Sequence, residues 1–455
     1  MRRRLQPSSG RMRTFGIVAA LALLVAGAAV AALAVAEHAG PQGDGTAITP
    51  IGWRVTPAGN QLQVGERPLG LALAPDGKTL LVSNDGLALQ SLTVVDTAGS
   101  AASQTIQYPP PQALFIGVVF SPDGSHAYAS AGSNEAIRTY SVSGRHLTEG
   151  GRIPLATTDA AGNTIDPFPA GLTISADGKT LYVADNLSNA LSIISLPGGA
   201  ETRVPLSTRA CTIGAFGDAS NGVNCLFPYT VALSRDGARA YVSEWGQKTV
   251  SVVDTASRTL VGKITVGTHP SALAVSPTRD ELYVANTDSD SISVIDTDVD
   301  RVTRTLSLQP YDGAPVGTSP NALAVSPDGR TLYVANGGDN DVAVVRLAGG
   351  DGREDSVEGL IAAGWYPSGI AVDPSGKRLF VTNAKGLGAG PNPGGPNTID
   401  QYVGSMIKGT LSTIDVPDER GLARATKQVE ANDGFAERDR SGGGSANALP
   451  RRPGE

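Results

Sequence analysis

The chain has 455 residues, of which 56 are Gly and 30 are Pro, about a fifth of the sequence against roughly 12% in an average protein. So many helix breakers exclude a long helical bundle, and a hydrophobic content of 40% excludes a disordered chain. The net charge of −7 includes five arginines within residues 1–36, so the remainder is acidic and is not expected to bind nucleic acid. The composition favours an all-β body of many short strands and tight turns.

Residues 1–36 have the features of a signal peptide. Arginines up to Arg13 precede an uncharged stretch, 14–36, which ends in Ala34-Val35-Ala36, a small-x-small cleavage pattern. An uncleaved membrane anchor is the alternative, because the apolar run is long enough to span a bilayer. Both interpretations predict that the body lies outside the cytoplasm, secreted or periplasmic, with membrane contact only through an uncleaved N-terminal segment. Residues 37–59 form a lead before the body.

From Pro68 onwards the sequence repeats. Two of the clearest copies are PSALAVSPTRDELYVANTDSDSISVIDT (270–297) and PNALAVSPDGRTLYVANGGDNDVAVVRL (320–347), and the seven turn positions are 42–59 residues apart. Each copy predicts an apolar strand, an Asp-Gly or equivalent turn, a second strand, a polar loop and a third strand, with a fourth strand before the next Pro. Four antiparallel strands per copy are the unit of a β-propeller blade.

The seventh copy lacks a fourth strand, because the chain becomes polar after a third strand at 411–416. Residues 60–65, in contrast, have the pattern of a fourth strand with no blade before it. We predict that 60–65 completes blade seven and closes the ring, which removes the open edges of a linear array. The predicted fold is an all-β seven-bladed β-propeller of four-stranded antiparallel blades over residues 60–417.

Three further segments have a predicted role. Cys211 and Cys225 are the two cysteines, 14 residues apart, and outside the cytoplasm this pair predicts a disulfide that ties one loop, two unpaired buried thiols being the alternative. Residues 385–400 are rich in Gly, Pro and Asn, either a functional loop or a tolerated surface insertion. Residues 418–455 are charged, then Gly/Ser-rich, then Pro/Arg-rich, which predicts a flexible, linker-like tail.

The segments LYVAN, YVSE, FVTN, SVID and SPDG resemble the repeats of YVTN-repeat (YncE-like) seven-bladed β-propellers, over about 60–417. A narrower resemblance, in AKGLGAGPNPGGPN (384–397), YVGSMIKGTLSTI (402–414) and the final NALPRRPGE, is to the N-terminal propeller part of bacterial bifunctional propeller/alkaline-phosphatase-like phosphoesterase proteins. This resemblance implies a phosphoesterase as partner, in cis or in trans. The phosphoesterase domain is expected to be absent from this chain, whose residues include no metal-binding Asp/His set or nucleophile motif of that kind.

The loops after the second strands and the GxxP loops should share one face of the predicted ring, around the central channel. Asn recurs there in most blades, which indicates a structural role in a turn. Residues that depart from the repeat are better candidates for contact with an unknown small molecule or protein, and the predicted set is Glu244, Trp245, His269, Trp365, Tyr366 and Lys385.

No catalytic residue, metal or cofactor is predicted. His269 is the only histidine expected on this face, and the sequence identifies no partner for it as a general base. The run Asp296-x-Asp298-x-Asp300 opens like a calcium loop, but Arg301 and Ser307 stand where Gly and Glu are required, so a solvated turn is the better interpretation.

The leading hypothesis is an extracytoplasmic, non-catalytic binding or scaffold module, associated by resemblance with a phosphoesterase. One alternative is a lactonase-like hydrolase with a polar site at the channel, for which Glu244 would be required. Another is that the chain is the truncated N-terminal part of an alkaline-phosphatase-like phosphoesterase. A quinone- or haem-dependent dehydrogenase is disfavoured, because the sequence has no CxxCH motif.

Overall fold

A computed structural model describes residues 38–99, 101–159, 161–212, 222–311, 313–348, 354–389 and 403–434. The predicted signal peptide, residues 390–400 of the insertion and residues 435–455 of the tail lie outside these ranges. Within them, a small sheet is followed by seven four-stranded antiparallel sheets, which are the blades of a β-propeller.

The strands and helices follow in chain order. The small sheet consists of β1 (Gly40–Pro41), β2 (Ala47–Ile48) and β3 (Arg54–Val55), and it precedes β4 (Asn60–Gln63). Blade 1 consists of β5 (Pro68–Leu73), β6 (Thr79–Asn84), β7 (Gln90–Asp96) and β8 (Ala102–Tyr108). Blade 2 consists of β9 (Val118–Phe120), β10 (His126–Ser130), β11 (Ala136–Ser143) and β12 (His146–Pro154). Blade 3 consists of β13 (Pro169–Ile174), β14 (Thr180–Asp185), β15 (Ala190–Ser195) and β16 (Ala200–Pro205).

Blade 4 consists of β17 (Pro228–Leu233), β18 (Arg239–Glu244), β19 (Thr249–Asp254) and β20 (Thr259–Thr265). Blade 5 consists of β21 (Pro270–Val275), β22 (Glu281–Asn286), β23 (Ser291–Asp296) and β24 (Arg301–Ser307). Blade 6 consists of β25 (Pro320–Val325), β26 (Thr331–Asn336), β27 (Asp341–Arg346) and β28 (Ser356–Ala362). Blade 7 contains β29 (Trp365–Val372), β30 (Arg378–Gly386) and β31 (Thr410–Asp415). Short 3-10 turns lie at Gly132–Asn134 and Thr287–Ser289, and the α-helices are α1 (Val403–Met406) and α2 (Glu419–Asp433).

The ring closes through blade 7, whose fourth strand comes from the N-terminal side of the chain. β4 pairs antiparallel with β31, and the register joins Thr410 to Gln63 and Thr413 to Asn60. Ser412 also donates a hydrogen bond from Oγ to Gln61 Oε1 at 2.8 Å. The prediction of a seven-bladed ring closed by an N-terminal strand is confirmed.

The SPDG turns between the first and second strands follow from their sequence. In blade 6, Gly329 N donates to the Ser326 carbonyl at 2.9 Å, which closes a four-residue turn. Ser326 Oγ donates to Asp328 Oδ1 at 2.6 Å, and the same carboxylate accepts from Arg330 N at 3.1 Å. Gly329 has a φ of 71°, a left-handed conformation that costs Gly little. The same Ser–Asp contact recurs in blades 2, 3 and 4.

The hydrophobic core is divided among the interfaces between blades. Among the described residues, seven clusters of buried apolar side chains each join one blade to the next, including the junction of blade 7 with blade 1. The middle strands are buried on both faces, whereas an outer strand such as β24 alternates exposed and half-buried positions. Each blade is therefore held by two neighbours, and the closed ring leaves no blade without one.

The Cys211–Cys225 disulfide is present, as predicted. No helix within the described ranges has the length and apolar character that crossing a bilayer requires.

The prediction of a flexible tail over 418–455 is wrong for residues 418–434. Asp418 caps α2, because its Oδ1 accepts a hydrogen bond from Gly421 N at 2.7 Å. Leu422 packs against the core between blades 6 and 7, and Val429 is 1% exposed. Thr426 Oγ1 accepts from Leu360 N in β28 at 2.9 Å. One face of this charged segment thus covers the outer strand of blade 6, a tertiary contact that composition does not reveal.

Candidate functional site

A cavity of about 690 Å³ opens at one end of the central channel. It lies on the face where second strands end and first strands begin, and all seven blades contribute to its wall. We call it the channel cavity. Its lining residues are Arg67, Leu69, Phe115, Asn186, Phe227, Tyr229, Trp245, Ser271, Thr287, Asp288, Ser319, Asn321, Tyr366, Ser368, Ala384 and Lys385.

The residue before the first-strand proline has a left-handed backbone in six blades. We call these six the pre-proline residues: Arg67, Phe168, Phe227, His269, Ser319 and Tyr366, with φ between 42° and 61°. In the five blades other than blade 7 the backbone is fixed, because the carbonyl of the pre-proline residue accepts a hydrogen bond from the residue after the second strand, as Arg67 does from Asp85 N and Phe227 from Trp245 N, both at 3.0 Å. Four of the six line the channel cavity.

Lys385 extends from β30 into the wall of the cavity. Its Nζ lies 4.8 Å from the centre of the Tyr366 ring and 5.1 Å from that of Trp365, which are cation–π distances. Within the described part of the chain, no carboxylate or other hydrogen-bond acceptor contacts this ammonium. The side chain is half-buried, and burial lowers the pKa of Lys385 below its ordinary value. The cavity therefore holds a cation without an anionic partner among the described residues.

Trp245 forms an aromatic group on the blade 4 side of the cavity. Its ring stacks on His269 with centroids 5.1 Å apart, and it meets Phe227 edge-on at 6.2 Å. His269 Nδ1 contacts Asp288 Oδ2, a pairing that holds the imidazole in one orientation. Trp245 is 43% exposed, unusual for so large an apolar side chain. This arrangement offers a planar surface to a ligand.

Arg67 and Asp85 form a polar group on the blade 1 side of the cavity, and Tyr229, from β17 of blade 4, lines the same cavity. Arg67 Nη2 lies 3.8 Å from Asp85 Oδ2, and Gln90 Nε2 donates to Asp85 Oδ1 at 2.7 Å. Burial raises the pKa of Asp85 to about 6, against the opposing effect of Arg67. Burial, together with the charges of Tyr366 and Asp85, raises the pKa of Tyr229 to about 12. Tyr229 is therefore neutral at physiological pH, and its hydroxyl can donate to a ligand.

The repeated Asn at the end of the second strand has a structural role in three blades. Asn286 Oδ1 accepts from Gly267 N at 3.0 Å, and its Nδ2 donates to Ser291 and Ser293 in the third strand. Asn84 and Asn383 repeat this pattern with Gly65 and Gly364. A Cβ at any of these glycines would lie 2.6 Å from the Asn side chain, so the contact requires Gly.

The prediction of Glu244 as a ligand contact needs correction. Glu244 occupies the Asn position in blade 4, is fully buried, and does not line the cavity. Its Oε1 accepts from Ser251 Oγ and from Lys263 Nζ, both at 2.5 Å, and its other oxygen accepts from Thr249. The side chain points into the sheet because this position faces the third strand. Glu244 thus departs from the repeat in sequence while it keeps the structural role of Asn.

The structure brings the other five predicted residues to one face. Trp245, Tyr366 and Lys385 line the cavity, whereas His269 and Trp365 contact residues of its wall. Whether they bind a ligand stays a prediction. Sequence reasoning missed the lining residues Arg67, Phe115, Phe227, Tyr229 and Asp288. The position directly before each first-strand Pro was a usable signal for Arg67 and Phe227.

Comparisons with known proteins support the fold. A model of the family described as "Lactonase, 7-bladed beta-propeller" matches residues 299–386, from the last turn of blade 5 to the end of β30. Hydrazine synthase from Kuenenia stuttgartiensis is 20% identical, with a TM-score of 0.54 over 71% of this chain and 94% of that chain. A streptogramin B lyase structure is 12% identical, with a TM-score of 0.54 over 78% of this chain and 97% of that one. A search of curated proteins found no match. At these identities the two structures show a shared propeller fold.

Proposed function

We propose that this propeller is an extracytoplasmic binding module, and that the channel cavity holds a small organic anion with an aromatic or apolar body. The observation that carries the proposal is Lys385, a half-buried ammonium that faces the cavity without an acidic partner among the described residues. Removing a charge from water is costly unless an opposite charge or hydrogen bonds compensate for it. A bound carboxylate, sulfonate or phosphate would supply that compensation.

The rest of the cavity wall suits such a ligand. Phe115, Phe227, Trp245 and Tyr366 present aromatic surface, and Tyr229 and Ser319 add hydroxyl groups. Binding cavities of this size combine apolar walls with a few polar groups that fix orientation. Aromatic surface then contributes affinity, and the cation selects the charge of the ligand.

Naphthalene-2-carboxylate and its neutral amide are matched probes for this proposal. Two of the three tryptophans, Trp245 and Trp365, lie at the cavity, so quenching of tryptophan fluorescence reports binding directly. The carboxylate should bind the native protein, and Lys385→Met should weaken it about tenfold or more, since a hydrogen bond to a charged group contributes roughly 1.5–3 kcal/mol. The amide should bind both proteins equally.

Lys377→Met is the matched control, because Lys377 lies exposed in the turn at the opposite end of blade 7. It should bind the carboxylate like the native protein. Equal affinity of the native protein and Lys385→Met for the carboxylate would refute the proposal, as would a preference for the amide.

The cellular compartment and the partner of the module are proposed on separate grounds. The Cys211–Cys225 disulfide favours an oxidising compartment, outside the cytoplasm. Membership of the YncE-like propellers and association with a phosphoesterase stay predictions from the sequence resemblance. Co-purification of the protein with a phosphoesterase from its native source would support the association, and full function in cells that lack that enzyme would contradict it.

A second candidate function is hydrolysis of a lactone at the same cavity. The specific observation is the contact of His269 Nδ1 with Asp288, which leaves Nε2 as the nitrogen that can accept a proton from water. The lactonase family match adds support, although residues 299–386 include neither side chain. The hydrolase would therefore depend on His269, not on Glu244.

Titration of the acid released from δ-valerolactone tests this candidate. The native protein should exceed the buffer rate, and His269→Gln should abolish the excess while Asp288→Asn reduces it. A native rate equal to that of buffer alone would eliminate lactone hydrolysis and leave the binding module as the proposal.

A further inference from the structure

The pre-proline residues combine a constant backbone with variable side chains. In six blades the residue occupies the left-handed region before a proline, and the six side chains are Arg, Phe, Phe, His, Ser and Tyr. The rest of the motif repeats closely, since Pro, small apolar residues and the turn recur from blade to blade. The residue type therefore varies most at the position before the proline, within a motif that is otherwise similar from blade to blade.

Glycine would fit this backbone better than any of the six residues. Non-glycine residues with a left-handed φ are strained, and such strain persists where the side chain is needed for another purpose. Here each side chain lies at the channel cavity: Arg67, Phe227, Ser319 and Tyr366 line it, His269 stacks on the wall residue Trp245, and Phe168 packs against the wall residue Phe115 at 5.2 Å. Six blades thus place one strained side chain each at the same ring of positions.

We propose that the pre-proline residues are the specificity determinants of the channel cavity, so that the fold supplies a constant ring and this position selects the ligand. The inference rests on the proposed function, because it deepens the description of that same site. It also assigns an orientation. The charged group of the ligand lies toward Arg67 and Tyr366, next to Lys385, and its aromatic body lies toward Phe227 and Trp245.

Arg67 supports this orientation. Its side chain is 53% exposed at the cavity, and its ion pair with Asp85 is long at 3.8 Å. Blade 1 adjoins blade 7 in the closed ring, so Arg67 and Lys385 come from neighbouring walls of the cavity. Two cations on one side and an aromatic group on the other define a ligand with an anionic end and a ring.

Arg67→Gly and Arg258→Gly are a matched pair of variants. Both arginines are left-handed, with φ of 47° and 56°, and Arg258 lies exposed in the turn between β19 and β20, away from the cavity. Measurements at about pH 5, below the raised pKa of Asp85, reduce the contribution of its ion pair with Arg67 to the comparison. Both variants should raise the urea midpoint, since Gly relieves the strain. Only Arg67→Gly should weaken binding of naphthalene-2-carboxylate, about tenfold.

A structural role for Arg67 would give a lower urea midpoint, so a gain in stability together with a loss of binding is specific to the proposal. Native affinity in Arg67→Gly, with weakened binding in Lys385→Met, would overturn this inference and leave the proposed function intact. Native affinity in both variants would overturn the proposed function itself.

Phe227→Leu tests the aromatic end of the site. It should weaken naphthalene-2-carboxylate more than fivefold and leave cyclohexanecarboxylate unchanged, because Leu keeps the apolar volume and loses the ring contact. An equal loss for both carboxylates would contradict the assigned orientation.

Discussion

Lys263 and Lys385 are both partly buried lysines, yet one belongs to the interior of blade 4 and the other to the channel cavity. Lys263 is 32% exposed and its ammonium lies 2.5 Å from the buried Glu244. Lys385 is half-buried and faces two aromatic rings, with no carboxylate partner in the described part of the chain. The ammonium of Lys263 neutralises the buried carboxylate of Glu244, whereas the ammonium of Lys385 adds a positive charge to the wall of the cavity. A departure from the repeat is therefore informative about function only when nothing else in the blade compensates for it.

In the blade interior, the residue at the end of the second strand and a residue on the outer strand vary together in charge. Blades 3 and 4 place an acid, Asp185 or Glu244, at the end of the second strand, and a cation on the outer strand faces the third-strand serine, Arg203 opposite Ser192 and Lys263 opposite Ser251. Blades 1, 5 and 7 have Asn at the first position, and the corresponding outer-strand residues are Thr105, Thr305 and Gln61. At these positions of the five blades, acid and cation therefore occur together, and amide occurs with a neutral outer residue.

The largest effect is expected from Asp185→Asn, measured as a function of pH. Burial raises the pKa of Asp185 to about 7. The folded protein keeps this proton between about pH 4 and pH 7 while the unfolded chain has lost it, so the native protein loses stability as pH rises through that window. Because Asn cannot ionise, the stability of the variant relative to the native protein should rise by on the order of 4 kcal/mol between pH 4 and pH 8. Urea unfolding at the two pH values measures this, and a difference independent of pH would contradict it.

Transferring the acid to a blade without a cation should have an effect nearly as large and of opposite sign. Asn286→Asp in blade 5 places a carboxylate where the outer strand offers only Thr305, and we expect a loss of about 3–4 kcal/mol in the free energy of unfolding at pH 8. Adding Thr305→Lys to Asn286→Asp should recover most of the loss, as a double-mutant cycle in urea would show. No recovery would mean that the acid–cation pairing across strands is coincidental.

Removing the cation from blade 4 is the converse change. Lys263→Met should lower the free energy of unfolding by about 3 kcal/mol, because Glu244 would remain buried without its counter-charge. The double variant Glu244→Gln with Lys263→Met should return close to native stability, since it recreates the neutral arrangement of blade 5. Urea unfolding of the native protein and the two variants distinguishes two explanations. If the loss comes from the unpaired carboxylate, the double variant should recover stability. If the loss comes from the missing packing of the lysine stem, the double variant should remain as unstable as Lys263→Met.

The smallest change in stability is expected for the lysine at the channel cavity. Lys385→Met should change the free energy of unfolding by less than about 0.5 kcal/mol, because its ammonium has no carboxylate partner to lose in the described structure and the methionine can keep contact with Trp365 and Tyr366. Thermal unfolding without ligand measures this. A loss comparable to that of Lys263→Met would show that Lys385 is a structural residue after all.

The fold could be predicted from the sequence because its determinants are local and repeated. The SPDG turn, the buried second strand and the alternating outer strand depend on neighbours within one repeat, and even the closing strand could be inferred from a missing fourth strand. Helix α2 was missed because its stability comes from covering β28, a partner distant from it in sequence.

The site was predicted only in part for the same reason. Residues that depart from the repeat identified Trp245, Tyr366 and Lys385 but also included Glu244, whose partner Lys263 lies on another strand. Asp288 was overlooked although it gives His269 the partner that the sequence did not identify. Arg67 and Phe227 were overlooked because the residue type before the first-strand Pro differs from blade to blade, so their shared feature is a position and a backbone conformation and not a repeated side chain.

Closure of the ring by β4 also determines the order in which the chain can assemble. The contact between Ser412 and Gln61 joins residues 351 positions apart, whereas every other strand pairing within a blade is made between segments close in sequence. By loop-closure entropy this pairing costs about 3 kcal/mol more than a ten-residue hairpin, so β4 and β31 should join last in folding and separate first in unfolding. Native-state hydrogen exchange should then show the amides of Leu62 and Leu411 exchanging before those of the middle strands of blade 5. The strand that closes the propeller is thus also the point at which the ring opens.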